Sequence, residues 1–96
     1  MEIKIKSLKF DADQKLIAFV EKKVSRLEKF CESETADVTL SLLKEPENKN
    51  VKIQIHAFGK EEVIERNSKT FEDAVTECVD IMKEKLTRTK EKRNEA

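Results

Sequence analysis

The chain has 96 residues, of which 42% are charged, and its 20 Lys and Arg balance its 20 Asp and Glu. This length allows one hydrophobic core, and a net charge of zero supports nucleic-acid binding only if the bases are segregated on one surface. A single Gly and a single Pro argue against a turn-rich all-β fold.

The chain begins with a pattern that predicts a half-buried strand. Within residues 1–10, Ile3 and Ile5 alternate with charged residues, and a strand places alternate side chains on opposite faces. Asp11 or Asp13 then supplies a carboxylate that can accept hydrogen bonds from the free N–H groups of a helix's first turn. We therefore expect a strand followed by a capped helix.

An amphipathic helix is predicted over residues 14–31. Its apolar residues step by four, four, three and four positions, which places them on one face at 3.6 residues per turn. These residues are Leu16, Val20, Val24, Leu27 and Cys31. We expect this face to pack on a sheet.

Three strands are predicted in the middle of the chain. Residues 35–43 and 51–57 alternate apolar and polar side chains, and a polar, proline-containing turn at 44–50 joins them as a hairpin. Residues 58–61 predict a second, tight turn, and the weaker pattern of residues 62–68 predicts one further strand.

The most regular pattern lies in residues 70–93, which predict a second amphipathic helix capped by Ser68 or Thr70. Its apolar stripe consists of Phe71, Ala74, Val75, Cys78, Val79, Met82 and Leu86. Residues 69–80 carry one base and four acids, whereas residues 81–96 carry six bases and three acids. This order complements the helix dipole, but the bases continue beyond the last apolar position, where no core remains to be covered.

The predicted order of elements is β-α-β-β-β-α. Because each strand is apolar on one face only, both helices would cover the same face of a four-stranded sheet. We therefore predict an α+β, two-layer sandwich that forms a single domain over 1–96, with a flexible basic tail at about 90–96. The other sheet face, which carries Lys52, Gln54 and His56, would contact water.

No pattern in the chain predicts catalysis, a metal site or a cofactor. The only histidine, His56, falls on the predicted solvent-exposed face, and neither a phosphate-binding loop nor an HExxH sequence is present. Cys31 and Cys78 lie 47 residues apart without a CxxC, so we interpret them as core residues of a reduced, cytoplasmic protein. No apolar run reaches the roughly 20 residues of a membrane span. We expect a protein that is not an enzyme and binds no membrane or small-molecule substrate.

The bases of both predicted helices are arranged in rows. One row is Lys15, Lys22, Arg26 and Lys29, and the other is Lys85, Arg88 and Lys92. Such rows are more often solubilising surfaces, but two rows on neighbouring helices favour phosphate binding because the contacts accumulate. With about 6–10 contacts, affinity would fall by roughly 10³–10⁵ between 50 and 200 mM salt. Since Trp and Tyr are absent, shape and phosphates would identify the partner, as they do for structured RNA.

Two segments give the sequence a family resemblance: FVEKKVSRLEKF at 19–30 and FEDAVTECVDIMKEKLTRTKEK at 71–92. With these segments in this order of elements, the whole chain resembles the ribosome hibernation-promoting factor / ribosome-associated inhibitor A family. The resemblance implies a fold similar to a double-stranded-RNA-binding domain and a bacterial stress or stationary-phase factor. Such a factor binds the small ribosomal subunit with its 16S ribosomal RNA, occludes the channel for messenger and transfer RNA, and inhibits translation.

Ten bases are candidate RNA-binding residues. The resemblance implies five of them, at basic positions of the family: Lys23, Arg26, Arg88, Lys90 and Lys92. The helical spacing and the charge count add five more: Lys22, Lys29, Lys83, Lys85 and Arg93.

The sequence also departs from the family. Ile81 and Glu84 stand where relatives often carry bases, and Phe71 and Glu72 replace a frequent Met-Tyr pair. The chain resembles a short-form member without the appended domain through which long members pair ribosomes, so pairing would involve a second ribosome-dimerising factor or a contact that the sequence does not reveal. The alternative function is a protein-protein adaptor that uses the exposed sheet face or a strand edge and whose binding survives raised salt.

Overall fold

Four strands and two α-helices follow one another along the chain in the predicted order β-α-β-β-β-α. The computed structural model describes residues 1–31, 35–44, 48–57 and 59–95, of which 89–95 are described by backbone alone. The elements are β1 (Glu2–Leu8), α1 (Gln14–Ser25), a 3₁₀ helix (Arg26–Lys29), β2 (Thr35–Leu42), β3 (Lys49–Ala57), β4 (Lys60–Ser68) and α2 (Phe71–Glu95).

The strands lie side by side in the order β1-β2-β3-β4. The β1 and β2 strands are parallel, since α1 crosses between them, and the other neighbours are antiparallel hairpin partners. The register aligns Ile5 with Val38, Val38 with Ile53, and Ile53 with Ile64. An apolar row therefore runs across all four strands beneath the helices.

The first helix is capped as expected but ends earlier than the sequence predicted. The Asp13 carboxylate accepts a hydrogen bond from the Leu16 N–H at 2.8 Å. The helix ends at Ser25, whose hydroxyl donates to the Lys22 carbonyl oxygen, and the chain continues as a 3₁₀ helix to Lys29. The single helix predicted over 14–31 is thus two segments with different twists.

The second helix buries every residue of its predicted stripe. Thr70 Oγ1 accepts a hydrogen bond from the Asp73 N–H at 3.1 Å, which confirms one of the two candidate caps. The stripe residues from Phe71 to Leu86 are each at most 7% exposed and form one core with the helix-facing side of the sheet. The backbone is helical to Glu95. Side chains beyond residue 88 lie outside the described part of the chain, and the flexible tail expected at about 90–96 therefore stays a prediction.

The sheet face opposite the helices is polar and exposed. Lys52 and His56 point away from the core, and Gln54 donates from Nε2 to Glu61 at 2.7 Å. This open face confirms the predicted two-layer sandwich. Among the described residues, its large apolar exceptions are Leu8 and Val63, each 40% exposed.

The two predicted turns are described in part. Residues 45–47 and 58 lie outside the described residues, but the Leu43 N–H donates to the Asn48 carbonyl oxygen at 2.8 Å across the first turn. Gly59 has φ +76°, which only glycine adopts without strain, at the second turn. The weakly predicted strand that follows is confirmed as β4, and it is longer than the predicted 62–68.

Both cysteines are buried and reduced, as the sequence predicted. Burial raises the pKa of the Cys78 thiol to about 12, and burial followed by the nearby Glu28 carboxylate raises the pKa of Cys31. Since the thiolate is the reactive form, we expect neither cysteine to react with iodoacetamide at about pH 8 until urea unfolds the protein. Ser25→Cys, at an exposed position, is the positive control and should be labelled in the native state. Labelling of the native wild-type chain would contradict this prediction.

Candidate nucleic-acid interface

A cleft of about 200 Å³ lies where the 3₁₀ helix and the end of α1 meet the middle of α2. The two helices lie side by side because Val24 and Leu27 on one side and Val75 and Met82 on the other are completely buried in the shared core. Polar residues next to these positions are thereby brought to the rim of the same cleft.

No described helix is long and apolar enough to cross a membrane.

Four of the predicted RNA-binding bases line this cleft: Lys23, Arg26, Lys29 and Lys83. Lys23 lies on α1, Arg26 and Lys29 lie on the 3₁₀ helix, and Lys83 lies on α2, so the cleft has basic groups on both sides. The floor is apolar, formed by the buried Leu27 and Val79 and the half-buried Phe30. The cleft therefore combines a cationic rim with an apolar base.

These four bases are electrostatically available. The ion pairs within the described part of the chain are the terminal amino group with Glu28, Lys85 with Glu62, and Arg88 with Glu84, and none involves a cleft base. Two of the ammonium groups lie over aromatic rings instead. Lys23 Nζ is 5.6 Å from the centroid of Phe19, and Lys83 Nζ is 5.3 Å from that of Phe30. Such contacts at exposed sites contribute only about 0.5–1 kcal/mol, so a phosphate can replace them.

Two of the predicted RNA-binding bases on α2 form ion pairs with acidic side chains. Lys85 Nζ lies 3.1 Å from Glu62 Oε2 on β4, whose side chain is only 11% exposed, so this base is on the β4 side of the helix. Arg88 Nη2 lies 2.5 Å from Glu84 Oε1 one turn earlier. Both bases are thus partly neutralised, and the sequence-predicted row of Lys85 with Arg88 is not a uniformly free cationic surface.

The row predicted on the first helix is also divided. Lys22 lines a shallow depression with Met1 and Ile3 on the β1 side, whereas Arg26 and Lys29 line the cleft with α2. The cause is the change of helix type after Ser25, because a 3₁₀ helix turns about 120° per residue instead of 100°. The tighter twist rotates both bases toward Lys23.

The remaining predicted contacts, Lys90, Lys92 and Arg93, have side chains outside the described residues and stay predictions. Two of the four departures from the family pattern, Ile81 and Glu84, have visible roles. Ile81 is half-buried and packs against the core, and Glu84 pairs with Arg88.

Besides the buried Leu27 and Val79, three residues that line the cleft were not predicted as functional: Phe30, Thr76 and Asp80. The apolar character of Phe30 gave no sign in the sequence that this residue borders an open cleft. Asp80 belonged to the acidic half of the last helix in the charge count. Only the packing of the two helices brings Asp80 to the same cleft as the four bases.

The fold and the cleft together define a class: a two-layer α+β domain whose helix layer presents unpaired bases. The chain belongs to the family described as Sigma 54 modulation protein / S30EA ribosomal protein, whose model matches residues 3–94. This match confirms the resemblance to the ribosome hibernation-promoting factor family.

Solved structures agree with this assignment. The chain is similar to the N-terminal domain of Thermus thermophilus Protein Y, with 25% identity and a TM-score of 0.81 over 93% of this chain and 99% of that one. It has the same fold as a ribosomal subunit interface protein from Coxiella burnetii, with 17% identity and a TM-score of 0.81 over 94% of this chain and 98% of that one. A comparison with curated protein sequences found no significant match.

Proposed function

We propose that this protein is a non-enzymatic regulator of translation in the bacterial cytoplasm. It binds the 16S ribosomal RNA of the small ribosomal subunit and occludes the channel for messenger and transfer RNA under stress or in stationary phase. Family membership and the subunit-interface protein among the structural neighbours support this proposal. Steric occlusion needs no catalytic group, which agrees with the absence of a catalytic pattern in the sequence.

The observation that carries the proposal is the set of four unpaired bases around one cleft. Each base that contacts a phosphate releases condensed counterions, so binding gains free energy without any requirement for a particular base sequence. A net charge of zero means that the whole molecule has no general attraction to RNA. The protein would therefore bind RNA through the cleft, and the orientation of the bound domain would be fixed.

Salt-titrated pelleting with purified small subunits tests the proposal. Four phosphate contacts predict a fall in affinity of about 100-fold between 50 and 200 mM salt, less than the range expected for six to ten contacts. Affinity that does not change with salt would contradict an interface made of these bases.

Lys85 is expected to have a structural role that separates it from the cleft bases. Lys85→Gln leaves the nearly buried Glu62 carboxylate without this cation, so we expect the free energy of unfolding in urea to fall by about 1–2 kcal/mol. Subunit binding by the folded variant should stay within about two-fold of wild type, because Lys85 lies outside the cleft. The double variant Lys85→Gln with Glu62→Gln is the control and should regain stability. A large loss of binding at unchanged stability would assign Lys85 to the interface.

The alternative function is a protein-protein adaptor, and the exposure of Leu8 and Val63 on the open face favours it. An apolar contact on that face would resist salt and would not need RNA. Ribonuclease treatment of a cell extract distinguishes the two functions. A partner that remains bound after treatment, and is lost with Val63→Lys, would support the adaptor.

A further inference from the structure

We infer that the cleft between the 3₁₀ helix and α2 binds one unpaired nucleotide of the RNA, with a preference for guanine. This inference rests on the proposed function and adds to it a subsite in which a base, as well as a phosphate, is recognised. It concerns three residues that the phosphate-binding proposal does not use: Phe30, Thr76 and Asp80.

The size and lining of the cleft fit a base better than a phosphate alone. Its volume of about 200 Å³ is below the roughly 300–1,000 Å³ of pockets that enclose drug-sized ligands and cofactors, so it holds a fragment the size of one base. A phosphate would use the rim and leave the accessible part of the apolar floor, which the half-buried Phe30 provides, in water. A flat aromatic base would cover that floor while its own phosphate stays at the rim.

Phe30 offers the stacking surface. Lys83 Nζ lies 5.3 Å from the centroid of the half-buried ring, so one face of Phe30 is covered by an exposed, flexible side chain that an approaching base can displace. The stacking of a base on this face contributes more than the exposed cation-π contact that it displaces. The released ammonium group can then bind the phosphate of the same nucleotide. Lys83 therefore covers Phe30 in the free protein and contacts the RNA phosphate backbone in the complex.

Asp80 gives the cleft its base preference. Asp80 lines the same cleft as the four bases, yet none of the ion pairs in the described part of the chain includes it. A carboxylate weakens phosphate binding in such a place, but it can accept two hydrogen bonds from adjacent donors on a base edge. Among the four RNA bases, only guanine presents two adjacent donors, its N1–H and its 2-amino group. The hydroxyl of Thr76 is already donated to the Glu72 carbonyl oxygen, which leaves its lone pairs as a further acceptor.

Four fluorescent RNA hairpins that differ only in one bulged nucleotide, together with a fully paired hairpin, test this inference by anisotropy at constant salt. We expect the bulged hairpins to bind about 5-fold or more tighter than the paired one, and the guanosine bulge to bind about 10-fold tighter than the others. Phe30→Leu should remove the advantage of every bulge. Asp80→Asn should remove the guanosine preference while the bulged hairpins still bind better than the paired one.

The matched control is Phe19→Leu. Phe19 is also half-buried and also lies under an ammonium group, that of Lys23, but it does not line the cleft. This variant should bind all five hairpins as the wild type does. Guanosine monophosphate alone should compete only weakly, and tight binding of the free nucleotide would overturn the assignment to RNA.

The outcomes separate the two proposals. Wild-type protein that pellets with small subunits but binds all hairpins equally would overturn the nucleotide subsite and leave the proposed function in place. Wild-type protein that neither pellets with subunits nor binds any hairpin would overturn both.

Discussion

Arg26→Glu combined with Lys83→Glu is expected to weaken binding to purified small ribosomal subunits by about 100-fold or more. These two bases lie on opposite sides of the cleft, one on the 3₁₀ helix and one on α2, and neither has an acidic partner among the described residues. A hydrogen bond to a charged group contributes about 1.5–3 kcal/mol, and reversal also adds repulsion from the phosphates. Sedimentation of labelled protein with subunits at fixed salt measures the effect.

The control for this charge reversal is Lys6→Glu combined with Lys15→Glu. It changes the net charge by the same amount at two exposed positions outside the cleft, one on the open sheet face and one in the first turn of α1. Binding of the control should stay within a few-fold of wild type, and urea unfolding should show that both double variants are folded. Equal losses in the two double variants would mean that overall charge, and not the cleft, determines binding.

Leu27→Ala is expected to be the most destabilising single substitution next to the cleft, with a loss of about 2–5 kcal/mol in the free energy of unfolding. Leu27 is completely buried where the 3₁₀ helix packs between α1 and α2, so truncation leaves a cavity below the bases. A domain of this size has roughly 5–15 kcal/mol of total stability, and the variant should therefore unfold at a much lower urea concentration. Binding should weaken as well, since the 3₁₀ helix that carries Arg26 and Lys29 loses its anchor.

Leu8→Ala is the matched control for this truncation. The same side chain is removed, but Leu8 is 40% exposed on the open sheet face, so the expected loss is below about 1 kcal/mol. Urea unfolding followed by circular dichroism compares the two variants directly. Similar midpoints for both would contradict the assignment of Leu27 to the core.

The cleft also shows why helix type matters for function. In a continuous α-helix, Arg26 and Lys29 would both lie within about 40° of Lys22 around the helix axis. The 3₁₀ twist after Ser25 moves them toward α2, where Lys83 faces them. The two helices then share one basic cleft, and the bases on their outer flanks do not contribute to it.

Much of the fold could be predicted because periodicity is a local property. The i, i+3, i+4 spacing from Phe71 to Leu86 predicted α2 and its buried face, and all seven stripe residues are in the core. Alternation in residues 35–43 and 51–57 predicted the central hairpin, and the register pairs Val38 with Ile53.

The sequence by itself determined the order of the elements, the buried stripes, the solvent-exposed position of His56 and the set of bases on the two helices. Only the tertiary structure decided which of these bases are available. The ion pair of Lys85 with Glu62 joins α2 to β4. The position of Asp80 at the cleft depends on how closely α2 packs against the first helical region. The physical reason is that spacing along the chain fixes the direction of a side chain only relative to its own helix axis. A Coulomb interaction between two side chains depends instead on the distance between their elements, and the shared core sets that distance.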